Sequence, residues 1–135
     1  MKLFLDANVV FSAANSESQL HRFILLLGRD QMLVTSGYAQ QEAYRNIRAK
    51  RPLWEEGYRK VMAGVAVVEG IDRPVPVSLA RKDRPILATA IRERCEYLVT
   101  GDKRDFGHLF GATIEGVTVM SPLMLAGKLV EQGEL

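Results

Sequence analysis

Short unbroken apolar runs alternate along this chain with stretches in which apolar residues return every three or four positions. The runs are "KLFL" at 2–5, "QMLVTS" at 31–36, "VAVVEG" at 65–70, "YLVTG" at 97–101 and "VTVMS" at 117–121. Each predicts a strand. The periodic stretches predict helices. In "SQLHRFILLLG" Leu20, Phe23, Ile24 and Leu27 share one helical face, and Gly28 is a stop signal. Ser36 can cap a helix that runs through Glu42 to about Arg48. Trp54, Tyr58, Val61 and Met62 form a further stripe. "DRPILATAIRERC" has its proline in the first turn, where a helix tolerates it, and turns Ile86, Leu87, Ala90 and Ile91 inward. "SPLMLAGKLVEQG" closes the chain, with Ser121 as cap, Pro122 as first residue and Gly133 as end. Between these elements, the prolines of "IDRPVPVS" bar a helix at 71–78.

Strands that read as continuous apolar runs are buried on both faces, and strands alternating with helices favour parallel pairing. The expected fold is therefore a three-layer α/β/α sandwich around a central parallel sheet. A length of 135 residues suits one domain spanning 1–135.

Composition narrows the function classes. With 47% apolar and 25% charged residues the chain matches an ordinary globular protein. No apolar run approaches the roughly 18 residues of a membrane span. "MKLFLDANVV" does not have the form of a secretory signal, so a cytoplasmic protein without membrane partners is expected. Cys95 is the only cysteine, which rules out an internal disulfide and disfavours a cysteine-based metal site; its place on an apolar helical face suits core packing. A net charge of +2 does not by itself argue for nucleic acid. The basic residues do cluster, at Arg45, Arg48, Lys50 and Arg51, at Arg81, Lys82 and Arg84, and at Lys103 and Arg104. Solvated helix faces and loops would account for such clusters equally well.

The acidic residues carry more. In an open parallel α/β sheet, functional groups gather at the carboxyl ends of the strands. Asp6 directly follows the first strand, and Asp102 follows "YLVTG" after Gly101. Asp83 begins the helix leading into that strand, so it belongs to the same edge. Glu42 lies one to two turns into the helix after the second strand and can lean over the rim. Asp105 stands nearby as a further candidate. Carboxylates brought together repel, and a divalent cation removes that cost. Mg²⁺ and Mn²⁺ prefer oxygen ligands, and His108 is the one histidine near these motifs, which disfavours zinc. A cation held there beside lysines and arginines suits a phosphodiester substrate, for it can activate water and stabilise charge on the phosphate.

Taken singly, each residue has a plainer reading. Asp83 could be a charge favoured by the helix dipole, Glu42 a solvated helix residue, and Asp105 a turn or cap residue. Asn8 could serve only a turn, and Thr100 only strand packing. His21 is expected to face solvent or to pack at a helix edge, His108 to lie in a loop, and Trp54 in the core or an interface.

"LDANVV", Glu42 within its helix, "KDRPILATA" and "YLVTGDKRDF" together resemble the PIN-domain family over essentially the whole chain, with the VapC-type toxins the nearest in pattern. The resemblance implies a Mg²⁺- or Mn²⁺-dependent endoribonuclease. It also implies a parallel sheet between helices, a homodimer, and a cognate antitoxin that blocks the site. Asp6, Glu42, Asp83 and Asp102 match the family's acidic set, with Asp6 and Asp102 as principal ligands, and Asp105 matches a position that only some members have. Asn8 and Thr100 match polar residues that hydrogen-bond the carboxylates or metal waters. Arg81, Lys82, Arg84, Lys103 and Arg104 flank the acidic motifs and are expected to contact an RNA backbone. The alternative is a PIN-fold RNA- or protein-binding module with little or no catalysis. A phosphotransfer protein fits less well: a phosphatase of this architecture would need a second Asp where Asn8 stands.

Overall fold

The structure, a computed structural model, describes residues 1–135. Strand β1 (Lys2–Leu5) leads into helices α1 (Ala7–Ala13) and α2 (Gln19–Asp30), then β2 (Met32–Ser36) and α3 (Gly37–Lys50). A 3₁₀ turn at Pro52–Trp54 precedes α4 (Glu55–Met62) and β3 (Val65–Val68). After the proline-containing segment come α5 (Arg84–Arg92), β4 (Tyr97–Val99) and the one-turn α6 (Lys103–Phe106). A second 3₁₀ turn at Gly107–Leu109, β5 (Thr113–Ile114), β6 (Val117–Met120) and α7 (Pro122–Glu131) complete the chain. The sheet order is β3-β2-β1-β4-β6-β5.

Five strands are parallel, as their unalternating sequences predict. Leu3, Phe4, Leu5, Leu98 and Val99 are completely buried, because helices cover both faces of the central strands. Edge strand β3 leaves Ala66 and Val67 exposed. The departure from an all-parallel sheet is β5, which pairs antiparallel with β6. Their connection is Glu115-Gly116, both at positive φ, the conformation a tight two-residue hairpin requires.

Two further expectations are corrected. Helix α1 begins at once after Asp6, where a turn around Asn8 was the plainer reading. Of the two expectations for His21, the solvent-facing one fails: the residue is buried and packs against the end of α1, its Nδ1 pairing with the Ala13 carbonyl at 2.7 Å. Trp54 packs its ring against Phe11, with centroids 5.4 Å apart. Gly57 of α4 lies so close to the Ala14 carbonyl that any Cβ there would collide with backbone.

The chain order places the functional edge. From β1 the chain builds outward through β2 and β3, then crosses to the other side of β1 to form β4. The carboxyl ends of β1 and β4 thus flank a topological switch point, the crevice where open α/β sheets bind ligands. Leu5 pairs with Val99, so Asp6 and the segment after Val99 emerge side by side.

Candidate metal centre

Asp6 is held from several directions. Its N–H donates to the Val99 carbonyl at 3.0 Å. Its Oδ1 accepts the Ala7 N–H at 2.8 Å, capping α1. Its Oδ2 accepts from the Thr100 hydroxyl at 2.8 Å and from Asn8 Nδ2 at 3.1 Å. Asn8 Oδ1 in turn accepts the Gly101 N–H at 2.7 Å, and Thr100 Oγ1 accepts the Asp102 N–H at 3.1 Å. Asn8 and Thr100 therefore stitch the end of β1 to the loop that carries Asp102. Gly101 suits this tight approach, since a Cβ there would come within 3.3 Å of Asn8 Oδ1.

Asp102 caps α6, its Oδ1 accepting the Asp105 N–H at 3.0 Å. That one-turn helix swings the Asp105 side chain back toward the crevice. Asp83 occupies the N-cap position of α5 but makes no capping bond. Its Oδ2 is buried without any hydrogen-bond partner. Carboxylate oxygens of Asp83, Asp102 and Asp105 all lie within 4.8 Å of one another. Asp6, Glu42, Asp83 and Asp102 line a single cleft, with Asn8, Lys82, Tyr38 and Ile86 completing its wall. The cavity measures about 60 Å³, room for an ion with a few waters and too small for a nucleotide.

Burial raises the Asp6 carboxyl above its ordinary range, against the hydrogen bonds from Thr100, Ala7 and Asn8, which lower it; the Glu42 charge adds to the rise. Asp83 is pushed up to about 7, first by burial, then by sharing a hydrogen bond with Asp105 and by the Asp105 charge. Lys82 Nζ lies 3.2 Å from Asp105 Oδ2 and holds that carboxyl below its usual range. Asp83 and Asp105 thus titrate as a pair, and Asp83 keeps the proton.

The donor set fits a hard divalent cation. The ligand candidates are carboxylates throughout, as Mg²⁺ and Mn²⁺ prefer. With the carboxyls ionised, no donor reaches the buried Asp83 Oδ2, and either a proton shared with Asp105 or a bound cation would satisfy the group. His108 does not join the cleft; its Nε2 pairs with the Ser78 carbonyl at 2.8 Å.

Asp6, Glu42, Asp83 and Asp102, far apart in sequence, come together in one cleft. Asp105, the plainer reading of which is a turn residue, joins the tight carboxylate group, whereas Glu42 and Asp6 stand outside it. The basic residues divide. Arg84 does not face an open ligand surface: it forms a two-pronged pair with Asp72, at 2.7 and 2.9 Å. Lys82 turns into the cleft. Arg81, Lys103 and Arg104 are exposed around the rim. The sequence reading missed Tyr38, for which the one available signal was its place in the first turn of α3, directly after β2 reaches the rim.

No protein-family model matches the sequence, and no curated protein matches it. Among solved structures, one chain of the crystal structure of VapBC2 from Rickettsia felis bound to a DNA fragment from their promoter is similar. The TM-score is 0.63 at 14% sequence identity, and the match covers 90% of this chain and 98% of that one. Such identity speaks to architecture, and in architecture this chain is a three-layer α/β/α sandwich with a PIN-like fold.

Proposed function

We propose that this chain is a Mg²⁺- or Mn²⁺-dependent endoribonuclease, the toxin of a toxin–antitoxin pair. The observation that carries the reading is the convergence of the Asp83, Asp102 and Asp105 carboxylates, with oxygens within 4.8 Å of one another, at the switch point of the sheet. Asp83, Asp102 and Asp105 would hold the cation, with Asp6 and Glu42 completing the site directly or through water. When bound, the cation supplies a Lewis acid for the phosphate and lowers the pKa of water.

The chain's own residues do the rest. Asn8 and Thr100 hold Asp6 and the Asp102 loop rigid, so the carboxylates need not rearrange as the substrate arrives. Asp83 gives up its proton when positive charge enters the cleft. Lys82, on the cleft wall, can leave Asp105 for a phosphate oxygen of the substrate. The small cavity admits water beside the phosphate while the nucleosides remain outside. Arg81, Lys103 and Arg104 attract the RNA backbone around the rim. Hydrolysis then adds the water oxygen to phosphorus and breaks the bond to one ribose oxygen.

The likeness to a chain of a VapBC2 assembly supports the toxin role. It also supports a cognate antitoxin as partner. An arginine delivered by that partner could satisfy the carboxylates in place of the cation, since its guanidinium binds them bidentately and keeps its charge. A homodimer acting in the cytoplasm completes the proposal.

Incubation of the purified chain with labelled single-stranded RNA and Mn²⁺ tests the reading. Fragments are expected with Mn²⁺ and not with EDTA, and Asp102→Asn should abolish them. In cells, expression alone should arrest growth, and co-expression with the product of the adjacent gene should restore it. A folded chain that binds RNA but leaves it whole with either metal would favour the binding module.

A further inference from the structure

We propose that the exposed face of α3 is a track for single-stranded RNA: Tyr38 stacks an unpaired base at the cleft mouth, and Arg45 and Arg48 take the phosphates leading away from it. The inference rests on the nuclease reading of the cleft and adds how the strand reaches it. Tyr38 lines the acidic cleft yet is 48% exposed, and its ring pairs with no other aromatic ring. Seven residues later, nearly two full turns on, Arg45 lies on the same side of the helix, and Arg48 follows one turn further. At the rise of an α-helix these positions stand about 10 and about 15 Å from Tyr38.

Beyond Glu42, which stands between Tyr38 and Arg45 and lines the cleft, the positive charge on this face is open. Arg45 and Arg48 are exposed, and neither forms an ion pair. The nearby Glu55 is engaged by the Tyr44 hydroxyl at 3.0 Å and by Arg59 at 3.3 Å. The Arg48 guanidinium lies 5.7 Å from the centre of the Tyr44 ring, and Arg51 lies 5.4 Å from that of Trp54. Stacking fixes the plane of a guanidinium and leaves its N–H groups for phosphate. A row of cations suits any polyanion, but an exposed ring beside the cleft suits one with unpaired bases. Stacking platforms combined with a basic groove are how proteins hold single strands. The sequence shows this basic cluster; the structure shows that the helix carrying it begins at the cleft, with Tyr38.

The test is fluorescence anisotropy with a labelled single-stranded RNA of about a dozen nucleotides, a length that one such surface can hold. EDTA keeps the RNA intact, so binding is read apart from cleavage. Tyr38→Ala should weaken binding about tenfold, while Tyr38→Phe keeps it, because phenylalanine retains the stacking face. Arg45→Ala with Arg48→Ala should lower the slope of log affinity against log salt by about 1.4. Arg22→Ala with Arg29→Ala on α2 should leave affinity unchanged. Thermal melting of each variant checks that it is folded. Unchanged RNA affinity in the Tyr38 and α3 arginine variants overturns the track, even if metal-dependent cleavage is found. So does equal affinity for the duplex of the same sequence, or loss of binding to the adjacent gene's product with RNA affinity intact.

Discussion

In the presence of a chelator, Asp83→Asn should make this protein more stable, and the gain should grow with pH. Burial, and then the shared hydrogen bond and charge of Asp105, move the Asp83 carboxyl from its ordinary 3.8 to about 7. A carboxyl raised in this way binds its proton more tightly in the folded than in the unfolded chain. Its contribution to stability is full below about pH 4 and is lost as the pH rises through about 7. At full strength the loss is about 4 kcal/mol, at about 1.4 kcal/mol per tenfold change in proton affinity. Lys82 and the solvent at the open side of the cleft screen it, so about 1–2 kcal/mol is the expected size. Asparagine keeps the shape and carries no charge, and its amide N–H groups can donate to the Asp102 and Asp105 carboxylates. Urea denaturation in EDTA, repeated between about pH 5 and about pH 8, reads the difference directly. The advantage of Asp83→Asn should widen up to about pH 7 and level off above it, where the carboxyl is ionised in both the folded and the unfolded chain. With Mn²⁺ added the order should reverse, because the cation stabilises the folded wild type more than the variant. Equal stabilities throughout, or an advantage that does not change with pH, would refute the reasoning.

Other perturbations give distinct outcomes. Thr100→Val removes both the donor to Asp6 Oδ2 and the acceptor of the Asp102 N–H, so urea denaturation should show a loss of about 1–3 kcal/mol. Lys82→Ala removes the cation beside Asp105; calorimetry should show tighter Mn²⁺ binding, while cleavage assays show slower turnover. Gly57→Ala drives a methyl into the Ala14 carbonyl and should lower stability by about 1–3 kcal/mol or more, seen as a drop in Tm with the metal affinity of the folded fraction unchanged.

The central strands were legible in the sequence because their apolar runs are short and end on Asp6, Ser36 and Gly101, too brief for buried helices. What escaped was short or depended on distant partners. Helix α1 has only 7 residues, too few for its apolar positions Val9, Val10 and Ala13 to establish a helical period. With α1 unseen, nothing in the sequence showed that a carbonyl at its end awaited His21. Strand β5 has two residues, and Glu115-Gly116 is a weaker hairpin signal than Asn-Gly. The rim carboxylates could be placed from topology alone, since an element's terminus fixes its edge of the sheet. Their individual aim could not. Asp83 at a helix start predicts a cap; only in three dimensions is the capping bond absent and the carboxylate gathered with those of Asp102 and Asp105. Arg84 looks as available as Lys82 in sequence, but the proline-containing segment brings Asp72 back to claim it.

The metal centre is tested most directly by calorimetric titration of Mn²⁺ into the wild-type chain, Asp83→Asn and Asp102→Asn, in buffers of different ionisation enthalpy. The wild type should bind saturably and release a proton below about pH 7, as Asp83 ionises to receive the cation. Both variants should bind far more weakly. Equal binding by all three, or none by a folded wild type at millimolar Mn²⁺, would contradict the account.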